Sequence, residues 1–355
     1  MNIDHVHFYV EDAKAWRDWF VSHLSFQAVA DYALPLEKTF HTCTEVVKSD
    51  SVYFLLSSPL LPISPVAEFL RQYPPGVVDV AFSVEDVEAA IAHTQAHGAK
   101  ILQPIQQHQQ GAVYIKWAKI AAWGGLSHTL IERRREDNET RREVSPSPSI
   151  TAIDHIVLNV ASGDLERAVT WYEKVLDFQR QQTFKIQTDR SALSSQVIVS
   201  RNGRVQLPIN EPASANSQIQ EFLNANNGPG VQHIALRTPN IIKAIAQFRA
   251  CGLSLLTVPK SYYSKLAKRK GLPLSAQELQ AIAQQEILVD WNEKTACALL
   301  LQIFTQPIFR QPTFFLEFIE RRSEARGFGE GNFRALFEAI EQEQIKRGSL
   351  KDFGS

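Results

Sequence analysis

A motif that returns 150 residues later constrains this chain more than any single residue does, because a duplicated unit dictates the architecture before any chemistry is weighed. IDHVHFYV at Ile3–Val10 reappears as IDHIVLNV at Ile153–Val160, and each copy alternates as a half-buried strand does. Behind each runs a helix-like stretch with matching ends: Trp19, Phe20, Leu24 and Phe26 against Trp171, Tyr172, Leu176 and Phe178. PPGVVDVAFSV at Pro74–Val84 pairs with GPGVQHIALRT at Gly228–Thr238, and each leads into an amphipathic helix, Val84–His97 and Pro239–Cys251. HTLIERR at His128–Arg134 pairs with LEFIERR at Leu316–Arg322, set wider apart, so the second copy carries an insertion, predicted helical over Tyr262–Gln285. Each half therefore reads strand, helix, then several strands with a second helix between them, the α+β pattern of a sheet that curls around something.

Between the copies, Arg133–Ser149 is charge-rich and ends in alternating Ser-Pro, which packs no core. The division is a first domain over 1–140, a linker over 141–150 and a second domain over 151–355. The 355 residues suit two domains of about 100–200 residues each. Charges balance, 37 Lys+Arg against 38 Asp+Glu, which removes a global electrostatic reason to bind nucleic acid or an acidic membrane. Cys43, Cys251 and Cys297 form no Cys-x-x-Cys pair and fit a reducing compartment, so the cytoplasm is expected. No apolar run reaches the roughly 20 residues of a membrane span. After Gly327, Gly329 and Gly331, Asn332 reads as an N-cap for an amphipathic helix over 332–347, with Gly348 as its stop. GFGEGN resembles a dinucleotide loop only superficially, because Asn332 takes the place of the third glycine.

Eight of the ten histidines lie in the first half, where His5 with His7 and His93 with His97 share faces but lack a third ligand at a recognisable spacing. The repeat is more discriminating. Both first strands carry histidine, His5 and His155; the second pair has Asp79 against His233, and the last pair Thr129 against Glu317. The second half alone offers two imidazoles and one carboxylate from three strands, the set that holds non-haem Fe(II) in oxygenases. On spacing alone, two buried histidines and an unrelated glutamate explain the pattern equally well.

IDHIVLNV, GPGVQHIALRT, FFLEFIERR and GFGEGNFRALFEAIEQEQIKRG together resemble the 4-hydroxyphenylpyruvate dioxygenases, members of the vicinal oxygen chelate superfamily. SALSSQVIVS, LPINEP, EILVD and LLQIFTQP stand in the family's order, and the first half matches in architecture only. The resemblance implies two glyoxalase/extradiol dioxygenase-like barrels of βαβββ modules, with a gating helix at the C-terminal end and a metal in the second barrel alone. It implies Fe(II) on His155, His233 and Glu317, and conversion of 4-hydroxyphenylpyruvate and O₂ to homogentisate and CO₂, in tyrosine breakdown or tocopherol and plastoquinone synthesis. Ser195, Asn210, Gln218, Gln232 and Gln302 fall on the family's polar pocket positions, although Ser195 and Gln218 by themselves read as loop polarity. Phe304, Phe315, Phe328 and Phe333 fall on its aromatic positions, although Phe304 and Phe315 by themselves read as core, and Asn332 with Phe333 opens the gate. A homo-oligomer, dimer or tetramer, is implied, with no nucleic-acid or membrane partner. FTQPIFRQPT before Glu317 is longer and more basic than the family's usual loop. The nearest rival is a 4-hydroxymandelate synthase, which hydroxylates the benzylic carbon of the same substrate; a non-catalytic aromatic-binding protein of the same fold is the other.

Overall fold

The structure, a computed structural model, describes residues 1–30, 32, 41–110, 113–135, 149–188, 191–269, 271–291 and 298–348, without the side chains of 110, 135, 330 and 333–338. These residues form two eight-stranded sheets of one topology. The first contains β1 (Asn2–Tyr9), β2 (Gln27–Val29), β3 (Thr42–Ser49), β4 (Val52–Pro59), β5 (Gly76–Ser83), β6 (Ile101–Gln110), β7 (Val113–Ala121) and β8 (Ser127–Arg135), in the order β2-β3-β4-β1-β5-β8-β7-β6. The second contains β9 (Ala152–Asn159), β10 (Gln179–Gln187), β11 (Ala192–Val199), β12 (Gln206–Pro212), β13 (Gly230–Arg237), β14 (Leu288–Trp291), β15 (Leu299–Phe304) and β16 (Phe315–Arg322), ordered β10-β11-β12-β9-β13-β16-β15-β14. Strand for strand, the second repeats the first.

In each sheet the opening strand of a module lies parallel to its closing strand, β1 to β4, β5 to β8, β9 to β12 and β13 to β16, and the modules join through the antiparallel pairs β1·β5 and β9·β13. Four strand–helix–three-strand modules result. In the first half α1 (Ala13–Leu24), α2 (Pro65–Gln72) and α3 (Val87–Ala96) connect the strands; in the second α4 (Leu165–Leu176), α5 (Gln218–Ala225) and α6 (Ile241–Ala250) take the same places. The insertion is two short helices, α7 (Lys260–Leu266) and α8 (Ala276–Gln284), where one stretch over Tyr262–Gln285 is predicted; Gly271 at φ 73° and Pro273 lie in the gap. Helix α9 (Phe333–Arg347) ends on Gly348 at φ 77°. The helices predicted over Val84–His97 and Pro239–Cys251 start later, because Asp86 and Asn240 cap them, accepting from the N–H of Ala89 at 2.8 Å and of Lys243 at 2.9 Å.

The repeated words IDH and ERR have repeated jobs. Asp4 is gripped by the Nε and Nη2 of Arg133 at 2.8 and 2.9 Å, and Asp154 by the Nε and Nη2 of Arg321 at 2.8 and 2.7 Å. Each aspartate also meets Nδ1 of the histidine that follows it, His5 at 2.8 Å and His155 at 3.0 Å. Glu132 and Glu320 accept the first N–H groups of α3 and α6, from Val87 at 3.1 Å and Ile241 at 2.7 Å, where a carboxylate suits the positive end of a helix.

One apolar core runs through both halves. The long FTQPIFRQPT loop, a departure in the sequence, sends Phe309 onto Trp16 with ring centroids 4.7 Å apart, and the neighbouring Phe314 onto Phe8 at 5.3 Å. Ser49 Oγ donates to the Ile150 carbonyl at 2.8 Å. Most of the expected 141–150 linker lies outside the described residues, as does Cys297.

His128 of β8 is buried in this junction. Its Nδ1–H donates to the Val80 carbonyl at 2.8 Å, so the other nitrogen is the acceptor for the Tyr172 hydroxyl of α4 at 3.0 Å. Burial pulls its pKa from the ordinary 6.5 down to about 4. Below pH 6.5 the unfolded chain takes up a proton that the fold refuses until about pH 4. Stability should therefore fall with falling pH across that window, by up to about 1.4 kcal/mol per pH unit for this group. Urea midpoints against pH check this: His128→Gln should flatten the slope, and an unchanged slope contradicts it.

Candidate metal centre

The centre lies where the two modules of the second sheet meet. Ala235 of β13 pairs with His155 of β9 on one side and Glu317 of β16 on the other, so those two side chains share a row, while His233, two residues earlier on β13, projects from the same face. The pairing of β9 with β13 shifts register between Val231 and His233 and between Ala235 and Leu236; such irregularities sharpen local twist and aim side chains. The three donor groups fall within 4.8 Å of one another. Glu317 Oε2 lies 3.2 Å from His155 Nε2 and 3.5 Å from His233 Nε2.

The residues fit a divalent metal. Burial alone would neutralise Glu317, but the His155 charge beside it holds its carboxyl below the ordinary range. Burial also opposes charge on His155, yet the Glu317 and Asp154 carboxylates on its two sides lift it to about 9. Burial wins at His233, whose pKa is lowered. The pocket thus surrounds an anion that requires a cation, with two imidazole nitrogens turned toward it, and a metal ion can take the place of the balancing proton. His155 is held through Nδ1 by Asp154, the kind of outer partner that fixes a ligand's tautomer. His233 Nδ1 has no hydrogen bond among the described residues; its ring is braced by stacking on Phe315, centroids 4.7 Å apart and planes 17° apart.

At the matching positions of the first sheet, Asp79 is engaged otherwise. It accepts from Ser127 Oγ at 2.6 Å, Thr129 Oγ1 at 2.9 Å and the Thr129 N–H at 3.2 Å, with Lys119 Nζ at 3.4 Å. A lysine ammonium already balances that carboxylate. His5 is turned to Asp4, and His7 to Ser57 Oγ at 2.7 Å. The acidic group Asp86, Glu88 and Glu132 is occupied by helix capping and by Lys116.

The cavity beside the triad is lined by Ser195, Asn210, Gln218, Gln232, Gln302, Phe304, Phe315 and Phe328, together with Phe184, Pro208 and Ile340. Ser195 and Gln218, which read as loop polarity in the sequence, are buried: Ser195 stands on β11 and Gln218 opens α5. Phe304 belongs to the core and to the cavity wall at once. Gln302 is 1% exposed and its Oε1 has no partner among the described residues, an acceptor turned to the cavity that a ligand could use. Phe328 lies edge-on to His155, centroids 5.1 Å apart. The side chain of Phe333 lies outside the described residues.

Asn332 corrects the sequence reading. Its backbone is helical, at φ −101° and ψ −11°, and its side chain caps nothing. Its Oδ1 instead accepts from the Tyr262 hydroxyl at 2.8 Å, fastening the start of α9 to the inserted helix α7. A tertiary partner has outcompeted the local cap. Gly327 at φ 88° and Gly329 at φ 77° adopt left-handed conformations suited to glycine, and a Cβ on Gly329 would stand 1.9 Å from Gln302 Oε1. Helix α9 is tied down by Glu341, which accepts from Thr188 Oγ1 at 2.6 Å and Ser191 Oγ at 2.7 Å, and by Arg347 against Glu221 of α5 at 3.0 Å. The apolar spacing of the terminal helix marks Ile340 as a covering residue, and it reaches the cavity wall; Asp154, Arg321 and Phe184 carry no such mark, although Asp154 and Arg321 stand inside the two words the halves share.

The sequence profile of the Glyoxalase/Bleomycin resistance protein/Dioxygenase superfamily matches residues 2–121 and 152–269. A 4-hydroxyphenylpyruvate dioxygenase of Caenorhabditis briggsae is 37% identical, over 98% of this chain and 93% of that protein. One of Coccidioides posadasii is also 37% identical, over 98% of this chain and 94% of its own length. Among solved structures, a mutant 4-hydroxymandelate synthase of Streptomyces coelicolor superposes with a TM-score of 0.83 at 27% identity, over 97% of this chain and 98% of that one. The likeness thus extends through the first half, where residues alone carried it only as architecture.

Proposed function

The chain belongs to the 4-hydroxyphenylpyruvate dioxygenase family of the glyoxalase and dioxygenase superfamily, and from that premise we propose that it converts 4-hydroxyphenylpyruvate and O₂ to homogentisate and CO₂, using Fe(II) held by His155, His233 and Glu317. The observation that carries the iron assignment is the convergence of two imidazoles and one carboxylate on one side, with an uncharged cavity on the other. Such a set leaves positions open to substrate and O₂, where a closed structural zinc would want a fourth protein ligand. Bound Fe(II) supplies a Lewis-acidic meeting point for the oxo acid and O₂ and the electrons that activate O₂.

The rest is the work of the chain. Two neutral imidazoles and one carboxylate leave a net positive site for the substrate's carboxylate. Ser195, Asn210, Gln218, Gln232 and Gln302 offer hydrogen bonds to the phenol and the keto group, and being uncharged they do not compete for the metal. Phe304, Phe315 and Phe328 flank the ring, as aromatic pairs do at offset or edge-on geometry, and the resemblance to the family gives the position of Phe333 the same role. Helix α9, begun by Asn332, closes the cavity and excludes water. The division into 1–140, 141–150 and 151–355 belongs to this reading, with the first domain free of metal because Lys119 serves Asp79.

Anaerobic loading with Fe(II) and 4-hydroxyphenylpyruvate, then O₂, tests the proposal: homogentisate and CO₂ should form in equal amounts. The similarity to a 4-hydroxymandelate synthase makes benzylic hydroxylation the second reading, and 4-hydroxymandelate as the product would establish it instead. Binding without turnover would favour the non-catalytic alternative.

Gly329→Ala should raise KM severalfold and leave metal content unchanged, because the new Cβ displaces Gln302 and costs roughly 1–2 kcal/mol in a left-handed backbone. Steady-state kinetics beside metal analysis check this. No helix among the described residues is long and apolar enough to cross a membrane. A cytoplasmic setting is supported by the free thiols Cys43 and Cys251, and self-association as a dimer or tetramer by the exposed apolar Leu60, Leu61 and Ile63.

A further inference from the structure

Resting on that reading of the site, we propose that Arg321 is a positioning residue that ties the ligand His155 to the seat of Phe328 and so keeps water out of the metal cavity. Arg321 stands on β16, on the same face as Glu317 by strand alternation. Two of its nitrogens grip Asp154, which holds His155 Nδ1. The remaining nitrogen, Nη1, donates to the carbonyls of Gly327 at 2.8 Å and Ala325 at 3.1 Å, in the segment that carries Phe328. The Phe328 ring then returns to His155 edge-on. The contacts close a circuit: His155, Asp154, Arg321, Gly327, Phe328 and His155 again.

Phe328 needs such a hold. Its two neighbours are glycines in left-handed conformations, without side chains to pack. It also lines two cavities, the one beside the triad, about 90 Å³, and an outer one of about 680 Å³ lined by Arg237, Arg321 and Arg326 among others. Phe328 is the wall between them. If the 325–327 segment slips, the outer space connects with the place where the reactive species must stay dry.

The duplicated half separates the structural part of this arrangement from the functional one. Arg133 grips Asp4 in the same two-pronged way, beside His5, in the sheet where Lys119 already balances Asp79. The grip on aspartate therefore belongs to the fold. Asp154 also accepts from Arg237 Nη2 at 2.7 Å, but the difference that concerns this arginine is its third contact: Arg133 donates to the Tyr32 hydroxyl at 3.2 Å, whereas Arg321 reaches the backbone that leads into α9. Only beside the triad does the arginine govern a hinge.

Arg321→Lys retains a charge for Asp154 but loses the planar fork that serves both partners. Amide hydrogen exchange over 328–332, measured on the protein without metal, should quicken by roughly tenfold, since local opening is what such exchange reads. Arg322→Lys is the control, because Arg322 serves Glu320 and Glu278 on the other side of the strand. During turnover, CO₂ released without homogentisate should rise severalfold in Arg321→Lys, and that rise should vanish in a Phe328→Ala background, because a residue acting through Phe328 has nothing left to act on. Unchanged exchange overturns the proposal, as does an additive double variant. Should Arg321→Lys fail to fold, Phe328→Leu with Arg321 intact must give the same uncoupling, and fully coupled turnover there overturns it. The exchange arm needs no substrate, so it stands even if the substrate assignment fails.

Discussion

Glu317→Ala is expected to abolish turnover and to leave a folded chain. Glu317 is 3% exposed and is the single anionic donor of the triad, within 3.2 Å of His155 Nε2 and 3.5 Å of His233 Nε2. Without it two neutral imidazoles remain, which neither balance a divalent ion nor close a three-point site. Loss of an outer partner of a ligand costs about 10–100-fold in affinity or activity, and loss of a ligand itself should exceed that. His155→Ala and His233→Ala should do the same. Folding should survive, because the row formed by β9, β13 and β16 is held by backbone pairing and by the Asp154–Arg321 grip. By contrast His5→Ala and His93→Ala should leave activity within a small factor: His5 is turned to Asp4, and His93 is exposed, its Nε2 on the Lys174 carbonyl at 3.2 Å. Circular dichroism beside product assays decides, and near-normal turnover in Glu317→Ala contradicts the account.

A chain cut after Asn332 should keep its metal and lose coupling. No triad member lies beyond that point, while the loss takes away Ile340 from the cavity wall and the Glu341 and Arg347 ties that hold α9 over β10, β11 and α5. A cut before Gly327 would also remove Phe328 and the carbonyls that Arg321 holds, confounding two effects. On the proposed reading the oxo acid would bind the metal through its own oxygens, so decarboxylation would not need the helix. Ring hydroxylation needs the ring within reach and dry, and a displacement of about an ångström can cost on the order of a hundredfold in rate. CO₂ and 4-hydroxyphenylacetate should therefore rise severalfold relative to homogentisate, as product chromatography would show. Full coupling after the cut would make α9 a structural cap and withdraw the gating role of the helix and Phe333.

The architecture was legible because the duplication wrote it twice. IDH and ERR recur, and the structure returns two sheets of one strand order. The triad was half legible: Asp79 against His233 and Thr129 against Glu317 mark where the halves diverge in chemistry, but spacing left an unrelated trio equally good, and the family resemblance supplied the ligand set. Ser195 and Gln218 were legible only through the family resemblance, because a serine in an alternating strand and a glutamine at a helix start have the same local pattern whether a face meets solvent or another module. Asn332 shows the same limit in reverse. Its spacing before an apolar helix is that of a cap, and only the fold reveals the Tyr262 hydroxyl that claims its oxygen. Asp154 and Arg321 were visible as identical letters in the two halves, yet their service to a ligand and a hinge depends on contacts from strands far apart in the chain.

The central claim is that one metal ion belongs to the second half and is held by His155, His233 and Glu317. Anaerobic titration of the purified chain with Fe(II), with bound metal counted by elemental analysis, tests it most directly. The account predicts one iron per chain, lost in Glu317→Ala and retained in His5→Ala; a second iron per chain, or full occupancy in Glu317→Ala, would contradict it.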